Sequence, residues 1–154
     1  PGVAGHSDIA HVLLMVRFMT FPVHGTSIRQ LQLSGLWYLL GAGLLVAVAI
    51  VSLMPAPDVG VSDKVSHLVT YFILSGWFAL LARHRLELAS MVAALIVYGM
   101  IIELLQAQTG YRFAEWGDVI ANTAGCFCGA TLYFTPLRRL FGFVDAKLAS
   151  ILRG

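Results

Sequence analysis

The sequence predicts an all-α, polytopic membrane protein: four transmembrane helices with an N-terminal interfacial amphipathic helix. Three observations carry this expectation. Hydrophobic residues make up 58% of the chain and charged residues 12%, with a mean hydropathy of +0.82, whereas about a quarter of a soluble domain is charged. Four apolar runs approach the length of about 20 residues that a hydrocarbon core about 30 Å thick requires. Lys and Arg fall on alternate connections between those runs, as they do when positive residues stay on the cytoplasmic side. The net charge of +2 over 154 residues is scattered, so no nucleic-acid footprint is present.

The elements follow in order. "IAHVLLMVRFMTFPV" at residues 9–23 is short for a span and contains His11, Arg17 and Pro22, which places it at the interface rather than across the bilayer. Residues 1–34 are therefore expected to form an N-terminal cytoplasmic or interfacial segment. "LWYLLGAGLLVAVAIVSLM" at 36–54 carries no charge and is the first span. Its "AVA" at 47–49 resembles a signal-peptide cleavage site, but a leader of over thirty residues and the long apolar run favour a span. The second span, 65–82, holds His67, and the third, 88–105, holds Glu103 near its end. The fourth covers 118–135. Residues 35–136 make a four-helix membrane domain, and 137–154 are expected as a basic cytoplasmic tail.

Arg17 and Arg29 precede the first span, Arg83 and Arg85 lie between the second and third, and Arg138, Arg139, Lys147 and Arg153 follow the fourth. Eight of the ten cations thus share one side, which predicts cytoplasmic termini and outward connections at 55–64 and 106–117.

Those outward connections and the adjoining helix ends collect the chemistry: Asp58, Asp63, Lys64, His67, Glu103, Gln106, Arg112, Glu115, Trp116, Asp118 and Asn122. Asp63, His67 and Tyr71 recur at four-residue steps with Lys64 three before His67, so one face of the second helix presents all four. Glu103 and Gln106 are three apart, and Asp118 and Asn122 four apart, on the third and fourth helices. Polar groups at the edge of hydrocarbon must be paired or must line a wet cavity, and ionisable ones are functional candidates. Asp63, His67 and Glu103 are the candidates for acid/base chemistry, with Asp63 orienting the imidazole. Lys64, Tyr71, Gln106, Arg112, Glu115, Trp116, Asp118 and Asn122 are the candidates for binding.

Structural alternatives stand beside each. Asp63 and Asp118 suit helix N-caps. An unpaired Glu103 within a span would cost about 2.5 to 3.5 kcal/mol, so a pair with Arg112, Lys64 or His67 is expected. Arg112 suits a phosphate or carboxylate, or an internal bridge to Glu115, Asp118 or Glu103. Trp37, Trp77 and Trp116 suit interfacial anchors. Gly125 and Gly129, with Ala121 one turn outward, read as a small-residue seam for close helix packing. Cys126 and Cys128 point to different faces, which makes a local disulfide improbable. Asp63, His67, Glu103, Glu115 and Asp118 are of ligand type, but no His-x-x-x-His pair or cysteine cluster accompanies them, and the sequence assigns neither metal nor cofactor. Phosphate-binding loops, nucleophile elbows and dinucleotide fingerprints are absent from the sequence.

The ordered set Asp63-Lys64-x-x-His67-x-x-x-Tyr71, Glu103-x-x-Gln106 and Arg112-x-x-Glu115-Trp116-x-Asp118-x-x-x-Asn122-x-x-Gly125 resembles the VanZ-like family of small bacterial membrane proteins, over about residues 36–135. The resemblance implies a compact four-helix bundle in the bacterial cytoplasmic (inner) membrane and, through the family's namesake, a link to teicoplanin resistance. It supplies no reaction. The expected partners are membrane lipids or lipid-linked envelope intermediates. The outward cluster either binds and modulates an envelope component, or acts as an outer-leaflet enzyme on a lipid-linked or phospholipid headgroup through His67, Asp63 and Glu103.

Overall fold

A computed structural model describes residues 31–55, 62–111 and 115–154. Among them the chain is helical, with no strand. Helix α1 is Ser34–Leu53, α2 is Asp63–Leu81, α3 is Arg85–Gln106, α4 is Trp116–Ala130, and α5 is Leu137–Arg153. A 3-10 turn, Thr131–Phe134, continues α4. The expected N-terminal amphipathic helix lies outside the described residues.

Helices α1, α2 and α3 are long and apolar enough to cross a membrane. Helix α4 has 15 residues, about 22 Å at 1.5 Å per residue, and reaches span length only with its 3-10 continuation. The runs expected at 36–54, 65–82 and 88–105 agree with α1, α2 and α3 to within three residues at each end, and the run at 118–135 overlaps α4 and its 3-10 turn. Helices α2 and α3 start two and three residues before the expected spans. Their first turns hold Asp63 and Lys64, and Arg85 and Glu87, polar residues that suit a helix end at the membrane surface.

Helix α2 is central. Against α4 it packs along the small-residue seam: a Cβ on Gly125 would strike the Leu68 carbonyl, and one on Gly129 the Phe72 carbonyl and the Gly76 amide. Only glycine lets the two backbones come this close. Ser75 Oγ donates to the Cys126 carbonyl at 2.6 Å across the same seam. Helix α3 joins α1 through Tyr98, whose hydroxyl donates to the Leu45 carbonyl at 2.7 Å. The core between these helices contains Tyr71, Leu74, Ala79, Leu88, Val92, Leu95 and Cys126. The outer faces stay apolar, with Leu39, Val46, Ile50 and Val51 of α1, Ile73 of α2 and Leu104 of α3 exposed. Such a surface is suited to lipid.

The stretch expected as a basic tail is helix α5, and its packing is unusual. Arg138, Asp145 and Ala149 face the bundle and are buried, whereas Leu140, Phe143, Val144, Ile151 and Leu152 are exposed. Asp145 accepts from the amides of Gln32 at 2.7 Å and Leu33 at 3.0 Å, just before α1, and from Trp37 Nε1 at 2.8 Å. A carboxylate at this position satisfies amides that a helix start leaves without internal partners. Arg138 donates to the carbonyls of Ala82 and Arg83 at the end of α2 and lies 4.2 Å from the Tyr133 ring centroid. This is the complementary cap, a cation on orphan carbonyls. Trp37 is therefore packed against Trp77 and Phe141 and bonded to Asp145, not a free interfacial anchor.

The start of α3 is closed locally. His84 Nδ1 accepts from the Glu87 amide at 3.1 Å, while the Glu87 carboxylate accepts from the Arg83 amide at 2.7 Å and from Tyr38 Oη at 3.0 Å. His84 is thus the N-cap, with imidazole in the usual hydroxyl's place, while the Glu87 carboxylate reaches back one residue further, to the Arg83 amide.

Candidate functional site

The opposite end of the bundle gathers the start of α2, the end of α3 and the start of α4. His67, one turn into α2, is its centre and is 8% exposed. Its Nδ1 lies 3.0 Å from Asn122 Oδ1 on α4 and 3.5 Å from Glu103 Oε1 on α3. Both atoms are acceptors, which favours the tautomer with its proton on Nδ1 and a lone pair on Nε2. Nε2 faces Asp63 Oδ1 at 3.7 Å and Asp118 Oδ2 at 4.0 Å.

The helical register brings these groups together. Asp63 stands one turn before His67 on the same face, Asp118 and Asn122 stand one turn apart on α4, and the glycine seam holds α4 close enough for both to reach the imidazole. Neither aspartate is an N-cap residue: Ser62 and Glu115 occupy those positions. Asp63 contacts the imidazole at ion-pair distance, but the residue that orients it by a hydrogen bond is Asn122. Sequence reasoning had Asn122 as a binding candidate and missed this role; its four-residue step from Asp118 was the available signal.

Other candidates lie around this centre or apart from it. Lys64 Nζ bridges to Glu115 Oε2 at 2.8 Å, with both side chains more than half exposed, which makes a rim pair of small energetic weight. Gln106 is buried and donates to the Ser52 carbonyl at 2.8 Å, so it ties α3 to the end of α1. Tyr111 does the same through the Leu53 carbonyl. Tyr71 is 2% exposed, with its ring against Gly99 and no hydrogen-bond partner for its hydroxyl among the described residues. Trp116 is 84% exposed and stands outside the cluster as a surface indole. Arg112 lies outside the described residues.

Chemically, the described cluster is acidic. Asp63, Glu103, Asp118 and Glu115 surround one imidazole and one ammonium. Glu103 and Asp118 are each 3% exposed, and Asp118 Oδ1 is buried with no hydrogen-bond partner among the described residues. One nitrogen and one oxygen from each of Asp63 and Asp118 lie within 4.8 Å of one another. The arrangement can hold a positive centre, or orient His67 as a base toward the half-exposed Asp63 side.

Comparison with known proteins gives two positive findings. The profile of the VanZ/LLP1 family matches residues 9–141, nearly the whole chain. An uncharacterized protein of Schizosaccharomyces pombe is 30% identical over 86 residues, covering 54% of this chain and 53% of that protein. The chain thus spans about half the length of the curated relative it matches. No solved structure matches.

Proposed function

The chain belongs to the VanZ/LLP1 family, and from that premise we propose that it is a four-span membrane protein of the cell envelope whose outward polar cluster binds the headgroup of a membrane lipid or lipid-linked envelope intermediate. The observation that carries this is the convergence of Asp63 and His67, Glu103, and Asp118 and Asn122 from three helices on one bundle end. Ionisable groups gathered at a membrane surface, around a buried imidazole, are expected to serve a ligand. Four carboxylates favour direct contact with amine or hydroxyl groups. A relative in a yeast supports a component shared by distant membranes, which lipid headgroups provide. In a bacterium, altered presentation of such a component would lower glycopeptide access and yield teicoplanin resistance.

In this proposal α4 and its 3-10 turn form the fourth span, both termini are cytoplasmic in the inner membrane, and α5 lies along the cytoplasmic interface. The cation distribution supports the orientation. The exposed apolar side of α5, bordered by Arg139 and Lys147, suits the headgroup boundary. With Cys126 and Cys128 replaced by serine, Asp58→Cys should react with a membrane-impermeant maleimide in intact cells; labelling only after lysis reverses the orientation. Lipids that co-purify with the full chain should be depleted in His67→Gln and Asp118→Asn. An unchanged lipid complement in both folded variants defeats the binding proposal.

A second, catalytic reading has one specific observation in its favour: His67 is oriented at Nδ1 by Asn122 and Glu103 while Nε2 faces the half-exposed Asp63. That is the disposition of a general base. Water would be the nucleophile and a lipid-linked or phospholipid headgroup the substrate. Turnover of a labelled envelope lipid by wild type and not by His67→Gln supports it; equal headgroup release by both rejects it.

A further inference from the structure

We propose that Asp63, His67 and Asp118 form a binding site for one divalent transition-metal ion such as Zn2+ or Mn2+. The argument begins at the imidazole. Nδ1 faces two acceptors, Asn122 Oδ1 at 3.0 Å and Glu103 Oε1 at 3.5 Å, which favours a proton there and a lone pair on Nε2. That lone pair is aimed between two carboxylates, Asp63 Oδ1 at 3.7 Å and Asp118 Oδ2 at 4.0 Å. Three donor atoms of ligand type thus face one common point.

The distances suit an ion at that point. At 3.7 and 4.0 Å the contacts are too long for hydrogen bonds. Ligands that each stand about 2.0 to 2.2 Å from one ion are separated by roughly 3 to 4 Å. The three ligand atoms lie within 4.8 Å of one another, so closure onto an ion requires small side-chain rotations and no helix movement. A second, independent sign is the buried carboxylate of Asp118, 3% exposed, whose Oδ1 has no hydrogen-bond partner among the described residues. A buried carboxylate oxygen without a hydrogen-bond donor is a free ligand position for a cation.

The ligand set selects the metal class. One imidazole nitrogen with two carboxylates suits zinc, manganese or ferrous iron better than calcium, which takes six to eight oxygens. Asn122 and Glu103 supply the outer shell that sets the tautomer of a metal-bound histidine. The side chain of Asp63 is 53% exposed, so the ion would keep open positions toward solvent. Those positions would take a phosphate or hydroxyl oxygen, which gives an acidic cluster a way to hold an anionic headgroup. This inference rests on the cluster being a ligand site, but the ion is titrated alone, so its failure and the failure of lipid binding are separately visible.

The experiment is calorimetric titration of the detergent-purified, chelator-stripped full chain with ZnCl2 and with MnCl2. Wild type should bind one equivalent of at least one of the two ions, with a metal-dependent rise in melting temperature. Asp63→Asn, whose side chain is half-exposed and whose fold is checked by circular dichroism, should weaken binding by at least about tenfold, as should His67→Gln, and the outer-shell Asn122→Ala by about tenfold. Absence of binding at millimolar metal overturns the proposal. Undiminished binding in folded Asp63→Asn and Asp118→Asn overturns it equally.

Discussion

The two ends of the bundle are both rich in polar side chains, and they differ in what those side chains hold. At the α5 end, Asp145, Arg138, His84 and Glu87 are bonded to backbone: amides before α1, carbonyls at the end of α2, amides at the start of α3. At the opposite end, His67 makes, among the described residues, one hydrogen bond, to a side chain, and meets three carboxylates at 3.5 to 4.0 Å. Polar groups that satisfy helix termini are structural in origin, because the orphan backbone groups would otherwise be buried bare. The carboxylates at the His67 end instead meet a shared centre, the imidazole, at 3.5 to 4.0 Å.

Substitutions at the two ends test that contrast. Asp145→Ala should have the largest effect on stability, a loss of about 2 to 4 kcal/mol, since it leaves two amides and the buried Trp37 indole without their acceptor; a melting temperature in detergent within error of wild type breaks the comparison. Its pH dependence sharpens the same point. Burial alone would raise the Asp145 carboxyl, but its bonds from Trp37, Gln32 and Leu33 and the charge of Arg153 hold it below its ordinary value. A lowered folded value means the stabilisation is fully present above the unfolded carboxylate range, about pH 4, and is lost as pH falls through the folded value. Wild type should therefore melt at a constant temperature from pH 7 to about 5 and lose stability below about 4, with Asp145→Asn showing the smaller loss over that acid range.

Arg138→Met should follow, at about 1 to 3 kcal/mol, because the end of α2 loses a charged donor while the packing on Tyr133 is partly kept. At the other end, Lys64→Ala should lower the melting temperature only slightly, and not at all in 1 M salt, since its pair with Glu115 is exposed. Asp63→Asn should change stability least, within about 0.5 kcal/mol. The same substitution is expected to have a large effect on metal affinity, and that inversion between stability and binding is the sharpest form of the contrast.

The sequence shows one end better than the other. Helices α1 to α3 are legible because a run such as 36–54 has no charge and is too long for a signal-peptide core. The polar stripes Asp63/His67 and Asp118/Asn122 are legible through helical spacing, since a four-residue step survives folding unchanged. Their partition is not: whether Asp63 or Asn122 takes the hydrogen bond from His67 depends on the approach of α4, which Gly125 and Gly129 set at long range. Helix α5 was hidden for a different reason. Its bundle-facing residues include Arg138 and Asp145, so a search for an apolar buried face sees only scattered charge. Trp37 was misread with it, because its partner lies 108 positions away. Arg112 and the N-terminal stretch lie outside the described residues.

The bond from the Gln32 amide to Asp145 spans 113 positions of sequence, and this has a consequence for biogenesis. Helix α1 is the first of these spans to leave the ribosome, yet the carboxylate that closes its start is synthesised after all the others. A chain halted before residue 145 therefore leaves the amides of Gln32 and Leu33 and the Trp37 indole without this acceptor.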